Sequence, residues 1–522
     1  MNKNKQSLFI LIIAIGIFYP FLSNSQQIEN LNHTPAAIEK FKLNQIWNKT
    51  DNAAGLSLDN TDYYSLFEAS YNLEKGDFKR PQKGLKENEL NFGTEGGVKI
   101  KNWYVWGNFS YKRNVIKDAN YNASIIDPYR GMPYYIADSN LSNWNNQHYD
   151  LSFKINFPKI NNKIALGLGG DYLASLGAKQ RDPRTENYFM KIRLTPSIVF
   201  SPNMKNHFGA NLEYYNLKEE SRMENINTNI SQTYYRLYGL GNSIIGLGSG
   251  RSTNYTGDNF GGGVQYNFTG KVNLLLSSNY SLKFEDARVS FSTPQDEGST
   301  EQRVWVNKLL LHIPGQGQSH YIYGRYTKRD INGIQYITQR DNSESQSGWI
   351  TLFKSIRSTY SEKLYQFGYD WTKDKANEYS WLLGTQLELY NKSDIYLIPA
   401  SYKDLKNVFI NIHSKKNVFV SEHLRKRLLI DISAGINKNI GGEYVYNGQH
   451  ADYPIVTQLE QGDFNFLTTN FKTLGISATY SQQVKNSSLA NIFFKVEANY
   501  SKANENFLKY RNLFGLSLGC NF

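Results

Sequence analysis

Apolar and polar residues take turns along most of this chain, with a period of two. Near its end, Phe514, Leu516, Leu518, Cys520 and Phe522 share one face of an extended strand. Leu513, Gly515, Ser517, Gly519 and Asn521 share the other. The same division recurs upstream. Trp103, Val105, Phe109 and Tyr111 oppose Tyr104, Trp106, Asn108 and Ser110, and Tyr149, Leu151, Phe153 and Ile155 oppose Asp150, Ser152, Lys154 and Asn156. Ile164, Leu166, Leu168 and Tyr172 oppose Ala165, Gly167, Gly169 and Asp171, and Tyr188, Met190, Ile192 and Leu194 oppose Lys191, Arg193 and Thr195. Late runs centre on Ile432, Ile476 and Val496. A soluble sheet would place a charge-rich face toward water, but here the polar face is dominated by Gly, Ser, Thr and Asn. The pattern predicts an all-β chain: a closed antiparallel transmembrane β-barrel, apolar toward lipid and mixed toward its lumen.

Counting runs from Tyr63 to Phe522 gives about eighteen strands, within a range of about 14–18. The stretch 331–361 is ambiguous. Short connections at 158–162, 201–206, 269–271 and 485–488 read as tight turns, and long ones fall at 114–146, 219–258 and 439–465. Short turns toward the periplasm and long loops outside are the expected asymmetry of such barrels. A closing strand that ends in Phe522 resembles the terminal strand signal of outer-membrane β-barrels.

The first residues agree. Lys3 and Lys5 precede an apolar run over 8–22, and Ser23-Asn24-Ser25 offers small residues before Gln26. This reads as a signal peptide over 1–25. The run is too short for a spanning helix, which needs about 20 residues, and Pro20 interrupts it. The segment 26–60 is periplasmic or lumenal, and 61–522 is the barrel. Thr34-Pro35-Ala36-Ala37-Ile38-Glu39 has the form of a capped helix start. The segment is too small for the plug domain of an energy-coupled receptor.

Composition narrows the class. Aromatics make up 14% of the 522 residues, with 40 Gly against 13 Pro, and mean hydropathy is −0.55. That excludes a helical membrane bundle and suits a barrel with aromatic girdles. The single cysteine, Cys520, excludes a disulfide framework. The net charge of +12 is scattered rather than clustered, which points to outer-membrane lipids and lipopolysaccharide phosphates and not to nucleic acid.

No constellation supports catalysis, a cofactor or a metal. His33, His148, His207, His312, His320, His413, His423 and His450 are dispersed, without metal-ligand spacing. Ser421-Glu422-His423 would place Ser and His on one strand face, too far apart to share a proton, with Glu422 pointing away. The glycine runs at 246–250 and 261–263 lack the strand–loop–helix context of a phosphate loop. Lumenal Lys154, Lys191, Arg193 and Lys495 face Asp150, Asp171, Glu213, Asp370, Asp431 and Glu497, a mixture suited to mutual pairing.

Two motifs stand apart. One is Trp47-Asn48-Lys49-Thr50-Asp51-Asn52-Ala53-Ala54-Gly55-Leu56. The other is Asp127-Pro128-Tyr129-Arg130-Gly131-Met132-Pro133-Tyr134-Tyr135-Ile136-Ala137-Asp138. With the chain length, they resemble an uncharacterised family of outer-membrane β-barrels from Bacteroidota. The resemblance implies companionship with lipoproteins or TonB-dependent receptors in the cell envelope, and no reaction. Asn52 to Leu56 also resembles an element near the start of long-chain fatty-acid channels, with Ala53 in place of its proline. The expected role is a non-enzymatic subunit or scaffold of a cell-envelope complex, its lumen largely occupied and Trp47 and Leu56 anchoring the first segment to the wall. A passive or gated channel for a small or hydrophobic solute is the alternative, and a lumen-sited hydrolase comes third.

Overall fold

The computed structural model describes residues 33–59, 63–248, 250–289, 293–343, 346–485, 490–505 and 507–522. The expected signal peptide lies outside the described residues. The strands in chain order are β1 (Tyr64–Gly76), β2 (Lys86–Ile100), β3 (Trp103–Ala119), β4 (Ile136–Ala137), β5 (Ser142–Asn156), β6 (Ile164–Lys179) and β7 (Arg184–Phe200). There follow β8 (Asn206–Glu224), β9 (Thr233–Gly239), β10 (Asn242–Leu247), β11 (Gly250–Thr269), β12 (Asn273–Val289), β13 (Gln295–Gly315) and β14 (Gln318–Ser343). The last are β15 (Gln346–Lys375), β16 (Glu378–Tyr396), β17 (Ser401–Ser421), β18 (Lys426–Val445), β19 (Phe471–Gln483), β20 (Asn491–Glu505) and β21 (Leu508–Asn521).

Eighteen of them form one antiparallel sheet, and β4, β9 and β10 form a small separate one. The large sheet closes on itself where β1 pairs with β21, Leu66 opposite Asn521 and Gly76 opposite Arg511. β8 skips the small hairpin and pairs directly with β11. The fold is therefore a closed 18-stranded antiparallel barrel, the upper end of the expected range. We call the end holding the start of β1 and the end of β21 the lower end.

Alternation sets the two faces. Ile432, Leu474, Ile476, Phe494 and Leu518 point outward, each about half exposed, while Thr195, Thr479, Ser481 and Ser517 are buried on the inner face. An outer belt of exposed Leu, Ile, Phe and Tyr around a polar interior is the pattern of a membrane-spanning barrel. Aromatic pairs mark its borders. Trp103 meets Phe157 at 4.9 Å and Phe208 meets Tyr266 at 5.3 Å near the lower ends of their strands. Tyr111–Tyr149, Trp305–Tyr326 and Tyr326–Tyr365 lie further up. Among the described residues no helix is long and apolar enough to cross a membrane.

Two expectations are corrected. The ambiguous stretch 331–361 belongs to the longest hairpin, with strands of 26 and 30 residues. Register shifts between Gly333 and Ile334 and between Ile337 and Thr338 change the phase of alternation there, which hides the strands from a period-two reading. The long connections are also shorter than expected. β3 runs on to Ala119, β8 to Glu224 and β18 to Val445, and β11 already begins at Gly250. Those strand ends rise past the apolar belt, so their polar outer positions read as loop. Some upper turns are short as well, at 180–183 and 397–400.

Ile432 and Ser433 are neighbours on β18 that face opposite media. Ile432→Arg should cost about 2–4 kcal/mol if its site lies near the bilayer midplane, and Ser433→Arg much less. Urea titration of the protein refolded into lipid vesicles checks this; equal costs would contradict the assigned faces.

Candidate functional site

An 18-stranded barrel is wide enough to hold an aqueous channel. Here the lumen is closed by two stoppers, and each is built around one of the two sequence motifs.

The lower stopper is the segment 33–59. Its helix α1 (Pro35–Asn44) starts as the sequence predicts: the Thr34 hydroxyl accepts from Ala37 N at 3.3 Å, and Pro35 occupies the first turn. Ala36 packs on Tyr379, Leu382 and Leu429, and Phe41 sets its ring edge on Tyr64 at 5.2 Å. Charges tie the helix to both sides of the β1–β21 seam. Glu39 accepts from Lys415 at 2.6 Å and from the Tyr379 hydroxyl at 2.5 Å, and Lys42 reaches Glu95 at 2.8 Å.

The chain then crosses the lumen to the opposite wall. Trp47 is 1% exposed, packs against Ala54, Ala165, Val199 and Leu275, and donates its indole N–H to Asn267 at 3.1 Å. Leu56 is fully buried, so both expected anchors are in place. Asn52 donates to Ile198 O, Ala210 O and the Gln265 amide oxygen at 2.8–3.2 Å, while its own oxygen accepts from Gly55 N. Three glycines make the room. A Cβ on Gly55 would lie 2.0 Å from the Trp47 ring, one on Gly167 2.2 Å from Ala54 N, and one on Gly209 3.1 Å from the Trp47 ring. Lys154 holds the carbonyls of Asn48 and Thr50 at 2.6 and 2.9 Å, and Arg193 holds Asp51 at 3.2 Å.

The upper stopper is made of inward-folded connections. Residues 120–141 carry the second motif and supply β4, which pairs with β9 of the hairpin β9–β10. The connection after β18 supplies a π-helical stretch, Ile455–Glu460, continuing into α2 (Gln461–Thr468). Tyr121, Ala137, Tyr235, Leu237, Ile455 and Leu459 join the three in one buried cluster. Arg130 is the centre of the motif. Its guanidinium lies between Glu219 and Glu285, at 2.9 Å from the latter, and over the Tyr255 ring at 4.9 Å. Asp138 pairs with Lys179 at 2.9 Å, both side chains fully buried. Arg80 stacks on Tyr129 at 3.8 Å and meets Asp463 at 2.6 Å. Burial works against the Asp463 charge, but Lys403 and Arg80 outweigh it and hold the carboxyl down at about 2.

Most of the predicted lumenal charges pair, while Lys154 binds carbonyls, Lys191 lies over the Tyr215 ring and Asp150 accepts from Ser152. Arg193 also binds Asp171 at 2.5 Å and Glu213 at 3.1 Å, Lys495 binds Glu497, His413 binds Asp370 at 3.0 Å, and Asp431 meets Lys415 at 3.6 Å. Between the stoppers the lumen keeps two cavities of about 290 and 350 Å³. Ser421 ends β17, and Glu422 and His423 lie in the following turn, where Glu422 pairs with Arg427 at 2.9 Å. They form no hydrolase arrangement. The residues 261–263 lie within β11, where a Cβ on Gly263 would meet the Asn279 side chain at 1.7 Å: they serve close packing of the wall. Among the described residues no group of three His, Cys, Asp or Glu is placed to hold a metal ion.

A family model described as a family of unknown function (DUF6850) matches residues 53–522, from inside the lower stopper through the whole barrel. The chain belongs to this family. No curated protein matches its sequence. By structure it is similar to the ferric preacinetobactin receptor BauA of Acinetobacter baumannii, at 10% identity over 89% of this chain and 80% of that one, with a TM-score of 0.41. It is also similar to the ferric yersiniabactin uptake receptor FyuA of Yersinia pestis, at 8% identity over 89% and 80%, with a TM-score of 0.42. The outer membrane transporter YddB of Escherichia coli matches at 8% identity over 89% and 81%, with a TM-score of 0.40.

Two predictions follow from the stoppers. Arg130→Ala leaves Glu219 buried without a counter-charge, while Glu285 keeps only Lys283 at 2.8 Å, which costs about 3–5 kcal/mol. The barrel itself keeps its pairing, so limited proteolysis should cut within 120–141 while the eighteen barrel strands stay protected. Asp59 gives a pH test. Protein packed around its carboxyl pushes it up to about 7, against the pull of Trp47 N, Asn48 N, Lys154 and Lys49. In an undocked segment it titrates near about 4. The docked stopper therefore binds the extra proton, and this contribution to docking is full below about 4 and lost as pH rises to about 7. Amide exchange over 45–58, corrected for intrinsic rates, should be slower at pH 5 than at pH 8, and Asp59→Asn should remove the difference.

Proposed function

We propose that this is a non-enzymatic outer-membrane barrel, closed to solutes at rest, that serves as a subunit or scaffold of a cell-envelope complex. On this reading residues 1–25 direct export, 26–60 are a periplasmic or lumenal segment whose described part, 33–59, is the lower stopper, and 61–522 are the barrel, with lipopolysaccharide around its upper rim in a Gram-negative cell of the Bacteroidota type. The observation that carries the proposal is closure at both ends by segments whose charges are paired, and in the upper one buried. An open porin has no use for such contacts.

A surface for a partner supports it. β13 pairs with β14 only as far as Gln335, and β16 with β15 only from Ser358. Residues 336–343 and 346–356 therefore rise beyond the rim as a two-stranded ribbon whose edges have no strand partner among the described residues. Ile337, Leu352, Phe353 and Ile356 on it are 44–57% exposed, and Ile398 beside its base is 67% exposed. The outward pairs Lys328–Asp330 and Arg303–Glu301 separate this apolar patch from the lipid belt below. An apolar patch above a charged collar faces water unless a protein covers it. An outer-membrane lipoprotein or a TonB-dependent receptor is the kind of partner that fits. The cavities between the stoppers favour one second reading, a gated channel in its closed state.

In planar bilayers the intact protein should conduct poorly, and deletion of residues 26–56 combined with Arg130→Ala, which loosens the upper stopper, should raise conductance without preventing insertion. Large steady conductance from the intact protein, unchanged by the deletion, would overturn the proposal in favour of an open channel.

A further inference from the structure

Lys308 on β13 and Arg325 on β14 are directly opposite each other across the two-residue turn at 316–317. Both side chains reach the lumen, where they line both of the cavities between the stoppers. Like charges directly opposite on adjacent strands repel, and here Lys308 is half-buried while Arg325 is exposed to the lumen. At three other places where like charges crowd together on the inner face, a counter-charge lies between them. Glu74 is opposite Glu87, and Arg511 binds them at 2.5 and 3.4 Å. Arg130 lies between Glu219 and Glu285. Lys392 and Lys403 share Asp394 at 3.0 and 4.0 Å.

Lys308 and Arg325 have no such bridge. Lys308 donates to the Lys49 carbonyl of the lower stopper at 2.8 Å, and Arg325 to the Thr327 hydroxyl at 3.2 Å; among the described residues neither makes an ion pair. Of the nearby acids, Asp51, Asp171 and Glu213 share Arg193 at 3.2, 2.5 and 3.1 Å, Asp51 also attracts Lys308 without touching it, and Asp370 lies 3.0 Å from His413. Neutral donors line the same space, with Asn211 and Asn279 in one cavity and Gln366 and Tyr323 in the other. The free fork of an arginine beside a lysine is the arrangement that takes an oxyanion, bidentate on the first and as a point charge on the second.

We propose that the lumen holds a binding site for a small oxyanion, a phosphate- or carboxylate-bearing solute, bridging Lys308 and Arg325 between the two stoppers. The cavity volumes suit a small organic acid or phosphate ester and exclude a polymer. The site goes beyond the subunit reading and does not depend on it, because a bound anion serves a closed scaffold and a gated channel alike.

The test uses the full-length protein purified in mild detergent, equilibrated with inorganic phosphate, with citrate or with chloride at matched ionic strength. Thermal unfolding should shift upward with rising phosphate or citrate concentration relative to chloride, since a ligand held only by the folded state stabilises it. Whichever of the two shifts it more assigns phosphate or carboxylate as the preferred group. The shift should vanish in Lys308→Gln/Arg325→Gln, and in chloride that variant should melt no lower than the parent because the repulsion is gone. If the double variant is not recovered folded, Arg325→Lys keeps the charge and loses the fork, and should give a reduced shift. No shift above chloride with either anion, an equal shift in the double variant, or an undiminished shift in Arg325→Lys would overturn the proposal.

Discussion

A backbone crossing hydrocarbon must satisfy every N–H and C=O within the protein. For a chain of period-two strands the solution is a closed ring, and the pairing of β1 with β21 supplies it. Much else follows from that ring having eighteen strands. Wall side chains cannot meet across so wide a lumen. The interior is then either water-filled or filled by other parts of the chain, and this protein fills both ends. Filling in turn brings charges out of water, and a buried charge without a partner is costly. The paired charges of the stoppers are thus a consequence of barrel size as much as a device of their own.

The two stoppers meet this demand differently. The lower one is held on its far side largely by amide and ammonium donors to backbone carbonyls, through Asn52, Asn156 and Lys154. The upper one depends on full ion pairs, Arg130 with two glutamates and Lys179 with Asp138, around a shared apolar cluster. Removing one member of a buried ion pair strands a charge, whereas carbonyls freed into a wet lumen can turn to water. The lower stopper's own ion pairs, Glu39–Lys415, Lys42–Glu95 and Asp51–Arg193, are part-exposed, so it is the cheaper one to release, and any motion that opens the lumen should start there.

The barrel was legible in the sequence because each strand reports its two faces locally. Ile432 and Ser433 are assigned by alternation alone, and so is the lumenal position of Arg193. Bulges defeat the same reading, as at 331–361, where an extra residue on β15 shifts the phase. The stoppers were visible only as motifs without a mechanism. Trp47 reads as an anchor, but the glycines that admit it, Gly167 and Gly209, lie on β6 and β8, far along the chain. Arg130 is 89 residues from Glu219, a partnership that no periodicity records. The pair Lys308 and Arg325 was missed although a signal existed. Both are equidistant from the turn at 316–317, so a two-residue hairpin places them opposite each other.

That pair also shows what the closed ring imposes on function. On the outer face, Lys328 is opposite Lys363, and Asp330 pairs with Lys328 at 2.9 Å with water and headgroups beside it. On the inner face the same kind of opposition is enclosed, and the stoppers decide how much water reaches it. A lumen closed at both ends turns an ordinary cross-strand repulsion into a demand for an anion. The strength of that demand rises as the stoppers seat more tightly. Anion occupancy and stopper docking are then linked, each favouring the other by the same free energy. A site of this kind would report whether the barrel is shut.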